Sequence, residues 1–177
     1  MDDTLSCPLN QVCSDDPSIA PEAGATLTRL VSTEMRERFK AHLITANVVD
    51  AGYASIRMNG TVDTPRTLAR RLGETIGADL IIIGVVWRYS EKEPLEGLPE
   101  TPASVAFALY LVEVKSGRSL WRGIYNATQA FATQNILNIA EQLKMGPRWL
   151  TAAQLASHGV KEALNTFPKR IKPVADH

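Results

Sequence analysis

The sequence predicts an α/β (α+β) sandwich, in which a mixed sheet of about five strands is packed by roughly three to five helices. The main observation is a succession of three β-type runs at 78–89, 103–114 and 118–129. A short turn that contains Gly117 joins the last two runs and favours a tight hairpin. Segments of helical periodicity stand before and after these runs. We therefore expect an antiparallel meander at 79–129 in the middle of the sheet.

The first third of the chain predicts a strand, a helix and a second short strand. Residues 4–9 alternate in polarity as a strand does, and residues 42–45 predict another short strand. Residues 48–58 fit either a short helix or a loop, since Gly52 weakens the helical interpretation. A long helix is predicted from Pro21 onward, because apolar residues recur at helical spacing: Leu27, Leu30, Val31, Met35 and Phe39.

The clearest helix of the sequence precedes the first strand of the meander. Thr64 can cap its amino terminus, Pro65 suits its first turn, and Gly77 can end it in the left-handed conformation. The strand that follows is apolar on both faces, as expected for an interior strand. Gly84 within it predicts either a bulge or a close approach of another chain segment.

The carboxy-terminal part predicts two helices. The first is expected at 133–143 and is broken by Gly146 and Pro147; the second begins at Thr151, where Thr151 and Gln154 form a capping box. We expect a single domain over 1–168 and a frayed tail at 169–177.

Composition excludes several classes of protein as first choices. Lysine plus arginine and aspartate plus glutamate both number 19, so the basic excess of a typical nucleic-acid-binding protein is absent. The longest apolar run, at 80–86, is far shorter than the roughly 18 residues of a membrane-spanning helix. We expect no nucleic-acid partner and no membrane-spanning helix.

The amino terminus leaves the compartment open. Residues 1–7 have neither the basic region nor the apolar core of a signal peptide, so the chain is either cytoplasmic or a form whose export segment was removed. Cys7 and Cys13 can close a small disulfide loop in an oxidising compartment, or both remain thiols. The sequence does not favour one state.

No pattern in the sequence indicates catalysis. There is no glycine-rich phosphate loop, no nucleophile elbow and no metal-ligand spacing among the histidines, so we expect no catalytic residues, no metal and no cofactor. The largest aromatic side chains lie in the strands. Core or interface packing explains them better than base stacking. We predict that Trp87, Tyr89 and Trp121 lie at a partner surface.

Two stretches resemble a known family. They are the strand that begins Ala78-Asp79 and reaches Gly84, and the hairpin that runs from Ser116-Gly117-Arg118 to Trp121. They resemble bacterial envelope lipoproteins of the CsgG / TolB-amino-terminal-domain-like group, which includes curli-secretion, polysaccharide-export and penicillin-binding-protein-activator lipoproteins. The resemblance covers most of 1–165. Its motifs are structural rather than catalytic.

The resemblance implies a periplasmic protein that works through assembly with envelope proteins or with itself. It also implies outer-membrane anchoring through a lipid on the full-length precursor; a native start at Met1 would instead indicate the cytoplasm. Two features depart from the group: Cys7 does not follow an apolar lipobox segment, and membrane-inserting hairpins are not evident. The hypothesis is a non-enzymatic accessory or assembly protein. The alternative is a small-ligand or nucleotide-binding module without catalysis, with its cleft near Gly84 and the strand ends.

Overall fold

Three antiparallel strands and four helices form the part of the chain that the structure describes. A computed structural model describes residues 8–11, 19–39, 43–58, 63–91, 102–128 and 150–169. The helices and strands are α1 (Ala23–Phe39), α2 (Ala46–Met58), α3 (Pro65–Ile76), β1 (Leu80–Ser90), β2 (Ser104–Glu113), β3 (Ser119–Thr128) and α4 (Ala152–Leu164). The α/β class is therefore as predicted.

The predicted meander is present, and β2 is its central strand. The strand order is β1-β2-β3, and both pairings are antiparallel. The side chains of β2 are buried from Ser104 to Val112, because helices and neighbouring strands cover this strand on both faces. The observed limits of β2 and β3 lie within one residue of the predicted runs 103–114 and 118–129.

Alternate side chains of β2 enter two different apolar cores. Phe107 and Leu109 lie in the first core, which includes the buried faces of α1 and α4. Ala108 and Tyr110 lie in the second core, which includes residues of α3 and Ile56 of α2. Because successive side chains of a strand point to opposite faces, the sheet separates α1 and α4 from α3.

Both predicted caps form as the sequence indicated. The Thr64 hydroxyl accepts a hydrogen bond from the Thr67 amide at 3.2 Å, and Gly77 ends α3 with a φ of 69°. At α4 the Thr151 hydroxyl accepts from the Gln154 amide at 3.2 Å. The Gln154 side chain accepts in return from the Thr151 amide at 3.0 Å. The two helices therefore begin where local side-chain chemistry satisfies their free backbone donors.

Gly84 marks a close approach, and the bulge of β1 lies further along the strand. A β-carbon at Gly84 would stand 3.1 Å from Cδ2 of Leu27 and 3.3 Å from Cδ2 of Leu109. The register of β1 against β2 shifts between Val86 and Arg88. Of the two explanations for the glycine, close packing under α1 is thus the one that holds.

Several predictions change. Residues 43–45 form neither strand nor helix, and 46–58 is helical, so the short strand at 42–45 is wrong over its described part and the helical interpretation of 48–58 is right. The described sheet has three strands and is wholly antiparallel, so neither five strands nor a mixed sheet is found within these ranges. The strand at 4–9 lies largely, and the helix at 133–143 entirely, outside the described residues. The single domain over 1–168 stays a prediction.

Candidate interaction surface

The three aromatic residues predicted to mark a partner surface do not lie together. Trp87 packs against the core on the α3 side of the sheet, whereas Tyr89 and Trp121 belong to the core beneath α1 and α4. The shift of register between Val86 and Arg88 places Trp87 and Tyr89 on opposite faces, although alternation alone would put them on the same one. A single surface formed by all three is therefore not observed.

Tyr89 is a core residue. Its side chain is 5% exposed, and burial, reinforced by the nearby Glu91 carboxylate, raises its pKa. Trp121 is half-buried. Its indole N–H donates to Oγ1 of Thr166 at 3.0 Å, and its ring meets that of Phe167 edge-on at a centroid distance of 4.9 Å. These contacts give Tyr89 and Trp121 a role in packing; whether Trp87 or Trp121 also touches a partner stays a prediction.

The structure brings a different set of apolar residues to the surface. Among the described residues, six large hydrophobic side chains are exposed, and five of them fall between 43 and 58. These five, which we call the α2 surface, are Leu43, Ile44, Val48, Tyr53 and Met58, with exposures from 38% to 87%. The sixth, Ile124, lies apart on β3. Concentrated exposure of this kind often marks an interaction site.

The α2 surface exists because α2 buries very little of itself. Only Gly52 and Ile56 are buried among its residues, and they define the line along which it contacts α3. With 100° of rotation per residue, Val48 and Tyr53 fall on the two flanks of that line, and Met58 points away from it. The helix therefore presents apolar side chains outward on more than one side.

An open cleft lies where α2 meets the end of α3. It has a volume of about 500 Å³. Its lining is small or apolar with a few uncharged polar groups: Asn47, Val48, Ala51, Gly52, Ser55, Thr75 and Ile76. Ala51 and Ser55, whose side chains are small, line it beside the direct contact of Gly52 with Ile76. An amide and two hydroxyls are the polar groups that it offers to a ligand.

Charges occur at the edge of the α2 surface. The Arg57 guanidinium donates to the Tyr53 hydroxyl at 3.4 Å and lies 5.9 Å from the centre of that ring. Asp50 is exposed on the same helix. Next to α2, Arg71 of α3 forms an ion pair with Asp63. Exposed apolar side chains with charged groups close by are common in protein–protein contacts.

The predicted ligand cleft near Gly84 and the strand ends stays a prediction. At Gly84 itself the Leu27 side chain packs closely, since an added β-carbon would stand 3.1 Å from its Cδ2. The predicted cysteine pair, Cys7 and Cys13, lies outside the described residues. No cluster of three or more metal-binding side chains occurs in the described part of the chain, and no helix there is long and apolar enough to span a membrane.

Sequence reasoning missed the α2 surface. Leu43, Ile44 and Val48 were assigned to a short strand and to an ambiguous segment, where exposed apolar residues have no special meaning. The signal that was available is that Val48 and Met58 lie off the helical stripe formed by Val49, Gly52, Tyr53 and Ile56. Apolar side chains off the stripe cannot all be buried on one neighbour.

Comparison with known proteins yields remote structural likeness only. No family model and no curated protein matches the sequence. Among solved structures, the chain is similar to the lipoprotein GNA1162 from Neisseria meningitidis, with 18% identity and a TM-score of 0.43 over 71% of this chain and 91% of that one. It is also similar to a PelC dodecamer from Paraburkholderia phytofirmans, with 15% identity and a TM-score of 0.39 over 83% and 82% of the two chains. Likeness at this level does not establish a family.

Proposed function

We propose that this chain is a non-enzymatic accessory or assembly protein of the bacterial cell envelope that acts through protein–protein contacts, either with envelope proteins or with copies of itself. The observation that supports it is the α2 surface, where five large apolar side chains are exposed within 16 residues of sequence, 43–58. Isolated apolar residues are common on protein surfaces, but five of them on α2 and the segment just before it favour an interface.

The envelope location rests on the sequence resemblance to the CsgG / TolB-amino-terminal-domain-like lipoproteins. In this proposal the protein is periplasmic and is held at the outer membrane by a lipid on its full-length precursor. The first codons of the complete gene test this part. A lipobox cysteine there supports the anchor, and a native start at Met1 would move the protein to the cytoplasm.

The contact itself is tested by a matched pair of substitutions. Ile44→Thr removes apolar area from the α2 surface, and Ile124→Thr makes the same chemical change on β3, where the side chain is 40% exposed. Both variants keep a β-branched side chain, so the folded chain should tolerate both. We expect Ile44→Thr to weaken association at least about tenfold, which corresponds to the burial of roughly one to two methylene groups.

The measurement is sedimentation velocity of the purified protein over a range of concentrations, together with photo-crosslinking in cells from a probe placed at Val48. The mass range of the measurement should extend from one copy of the chain to large oligomers. An equal loss of association in both variants, or crosslinks no more frequent at 48 than at exposed Thr33 of α1, would contradict the proposal.

A small-ligand module without catalysis is the second candidate, and the cleft beside α2 is the observation that favours it. This cleft is open to solvent, and its lining of apolar side chains with one amide and two hydroxyls could orient a small ligand at the surface. Ala51→Leu would fill it. A nucleotide or metabolite that raises the melting temperature of the parent protein, but not of Ala51→Leu, would support binding; an unchanged melting temperature across such a panel would favour the assembly function.

A further inference from the structure

The attachment of α2 to the rest of the molecule is narrow. Among the described elements, α3 is the one with which α2 shares a substantial packing interface. Ile56 is the single large side chain that α2 buries, at 5% exposure, and it enters the core on the α3 side of the sheet. At Gly52 the two helices touch directly, since a β-carbon there would stand 2.5 Å from Cγ2 of Ile76.

Helix α2 cannot remain helical once it leaves α3. It has 13 residues, and isolated helices shorter than about 12–15 residues are marginal in water even when they are rich in alanine. Its sequence contains Val48, Val49 and Gly52, all of which lower helix propensity. Undocking and unfolding of α2 are therefore one event.

Helix α3 has its own attachments on the side away from α2. Gly73 lies against Val114, since a β-carbon there would stand 2.1 Å from Cγ2 of that residue. The Arg70 guanidinium donates to the Val114 carbonyl oxygen at 3.2 Å. Ala69 is fully buried, and both ends of the helix are capped. The departure of α2 would leave these contacts intact.

We propose that α2 is a displaceable strap: it leaves α3 and unfolds as a unit while the sheet and the other three helices stay folded. Local openings of this kind occur where few apolar contacts hold an element. Displacement withdraws Ile56 from the core and uncovers Leu72 and Ile76 of α3. This inference does not depend on the proposed function, because it concerns a transition within one chain.

Hydrogen exchange of the full chain, read by mass spectrometry or NMR, tests the strap. We expect the amides of 46–58 to be protected, but at least about 100-fold less than those of β2, with the amides of α3 remaining close to β2. Equal protection of α2 and β2 would mean that α2 opens only with the whole molecule. Absence of any protection in α2 would mean that it is not docked at all. Either result overturns the proposal.

A substitution with two opposing effects separates docking from helix propensity. Gly52→Ala raises the intrinsic helix propensity of α2 but sets a methyl group against Ile76. We expect exchange of α2 amides to accelerate by about tenfold, since docking governs the opening. In the control, Gly24→Ala in α1, the added methyl group meets nothing within 4 Å, so exchange in α2 should be unchanged.

Two outcomes of that experiment contradict the strap. If Gly52→Ala slows exchange in α2, the helix is limited by its own propensity and not by its contact with α3. If the variant accelerates exchange in β2 as much as in α2, the two elements open together and α2 is not an independent unit.

Discussion

Gly159 is the position at which α4 packs directly against the aromatic ring of Tyr125 in the sheet. A β-carbon at this position would stand 2.3 Å from Cδ1 of the ring. The ring is itself held between Phe107, at a centroid distance of 5.6 Å, and His158, at 6.3 Å. Since the ring is enclosed, it cannot move aside to admit a methyl group. The absence of a side chain at Gly159 therefore allows α4 to lie this close to the sheet.

The substitution Gly159→Ala should lower the free energy of unfolding by about 1–3 kcal/mol, because overpacking outweighs the gain in helix propensity. Urea denaturation followed by circular dichroism measures it. Gly24→Ala is the control: its methyl group enters open space, so stability should stay the same or rise. Equal stability of both variants would show that α4 can shift away from the ring without cost.

Tyr125 makes the stability of the protein depend on alkaline pH. Burial, with a smaller effect from the Glu162 carboxylate, raises the pKa of this tyrosine to about 12, against about 10 in an unfolded chain. Since the folded pKa is the higher one, the stabilisation is complete below pH 10 and is lost as the pH rises from 10 toward 12.

The free energy of unfolding should fall between pH 9 and pH 11.5 in both the parent protein and Tyr125→Phe. We expect the fall to be smaller in Tyr125→Phe than in the parent protein, by up to about 2 kcal/mol. Guanidinium denaturation at the two pH values gives the difference. Tyr53→Phe on the exposed side of α2 is the control and should keep the parent's pH dependence. The interpretation is wrong if both variants lose as much stability as the parent, because another group would then cause the loss. Burial also raises the pKa values of Tyr89 and Tyr110, so these two residues account for the loss of stability with pH that remains in Tyr125→Phe.

The amino terminus of α4 is satisfied by several side-chain hydrogen bonds. Besides its capping box, its first amide, at Ala152, donates to the Glu91 carboxylate at 3.0 Å, and Glu91 follows directly after β1. A carboxylate at a helix amino terminus is also favoured by the helix dipole. The residue that follows the first strand thus fixes where the last helix begins.

Removal of the Thr151 cap should destabilise the protein. We expect Thr151→Ala to lower the free energy of unfolding by about 1 kcal/mol, as is usual for a lost threonine cap. Thr33→Ala is the control, since it makes the same chemical change within α1. There the Thr33 hydroxyl donates to the Arg29 carbonyl oxygen of the same helix, at 2.9 Å. That variant should be neutral or slightly more stable. A thermal unfolding series measures both, and equal losses would show that the cap contributes nothing specific.

The sequence predicted those elements whose signals are local. Thr64, Gly77 and Thr151 were recognised because a cap needs only a few neighbouring residues, and the β2–β3 hairpin because its turn and its two runs adjoin. Residues 43–45 were misassigned because a short apolar stretch has no period long enough to separate strand from loop. Helix α2 was ambiguous for a related reason: its structure depends on docking against α3.

The candidate site was not predictable in the same way. Trp87 and Tyr89 were predicted at one partner surface because aromatic side chains are favoured at interfaces, but the bulge between Val86 and Arg88 puts them on opposite faces of the sheet. A bulge is determined by the pairing of two strands, so one strand's sequence does not show it. The α2 surface depends on what remains uncovered after packing, and this follows only from the tertiary arrangement.

On the scale of the whole molecule, β2 connects two cores, and among the described strands it is the one buried along almost its whole length. Phe107 and Leu109 lie in the core beneath α1 and α4. Ala108 and Tyr110 lie in the core beneath α3. The two sides differ in their supports. One has two helices joined to each other by the Lys161–Glu34 ion pair at 3.8 Å, and the other has α3 with α2 loosely added. The proposed contacts and the proposed strap both fall on the less supported side.

The pairing of the first helix with the last has a consequence for biosynthesis. The Arg38 guanidinium at the end of α1 donates to the Leu164 carbonyl oxygen at 2.8 Å, across 126 positions of sequence. While the ribosome is still holding α4, the emerging chain has its meander complete, but the sheet and α1 lack the apolar residues that α4 adds to their shared core, such as Val160 and Leu164. Such an intermediate is a natural client for chaperones. A chain that ends before α4 should therefore expose apolar surface and be prone to aggregation.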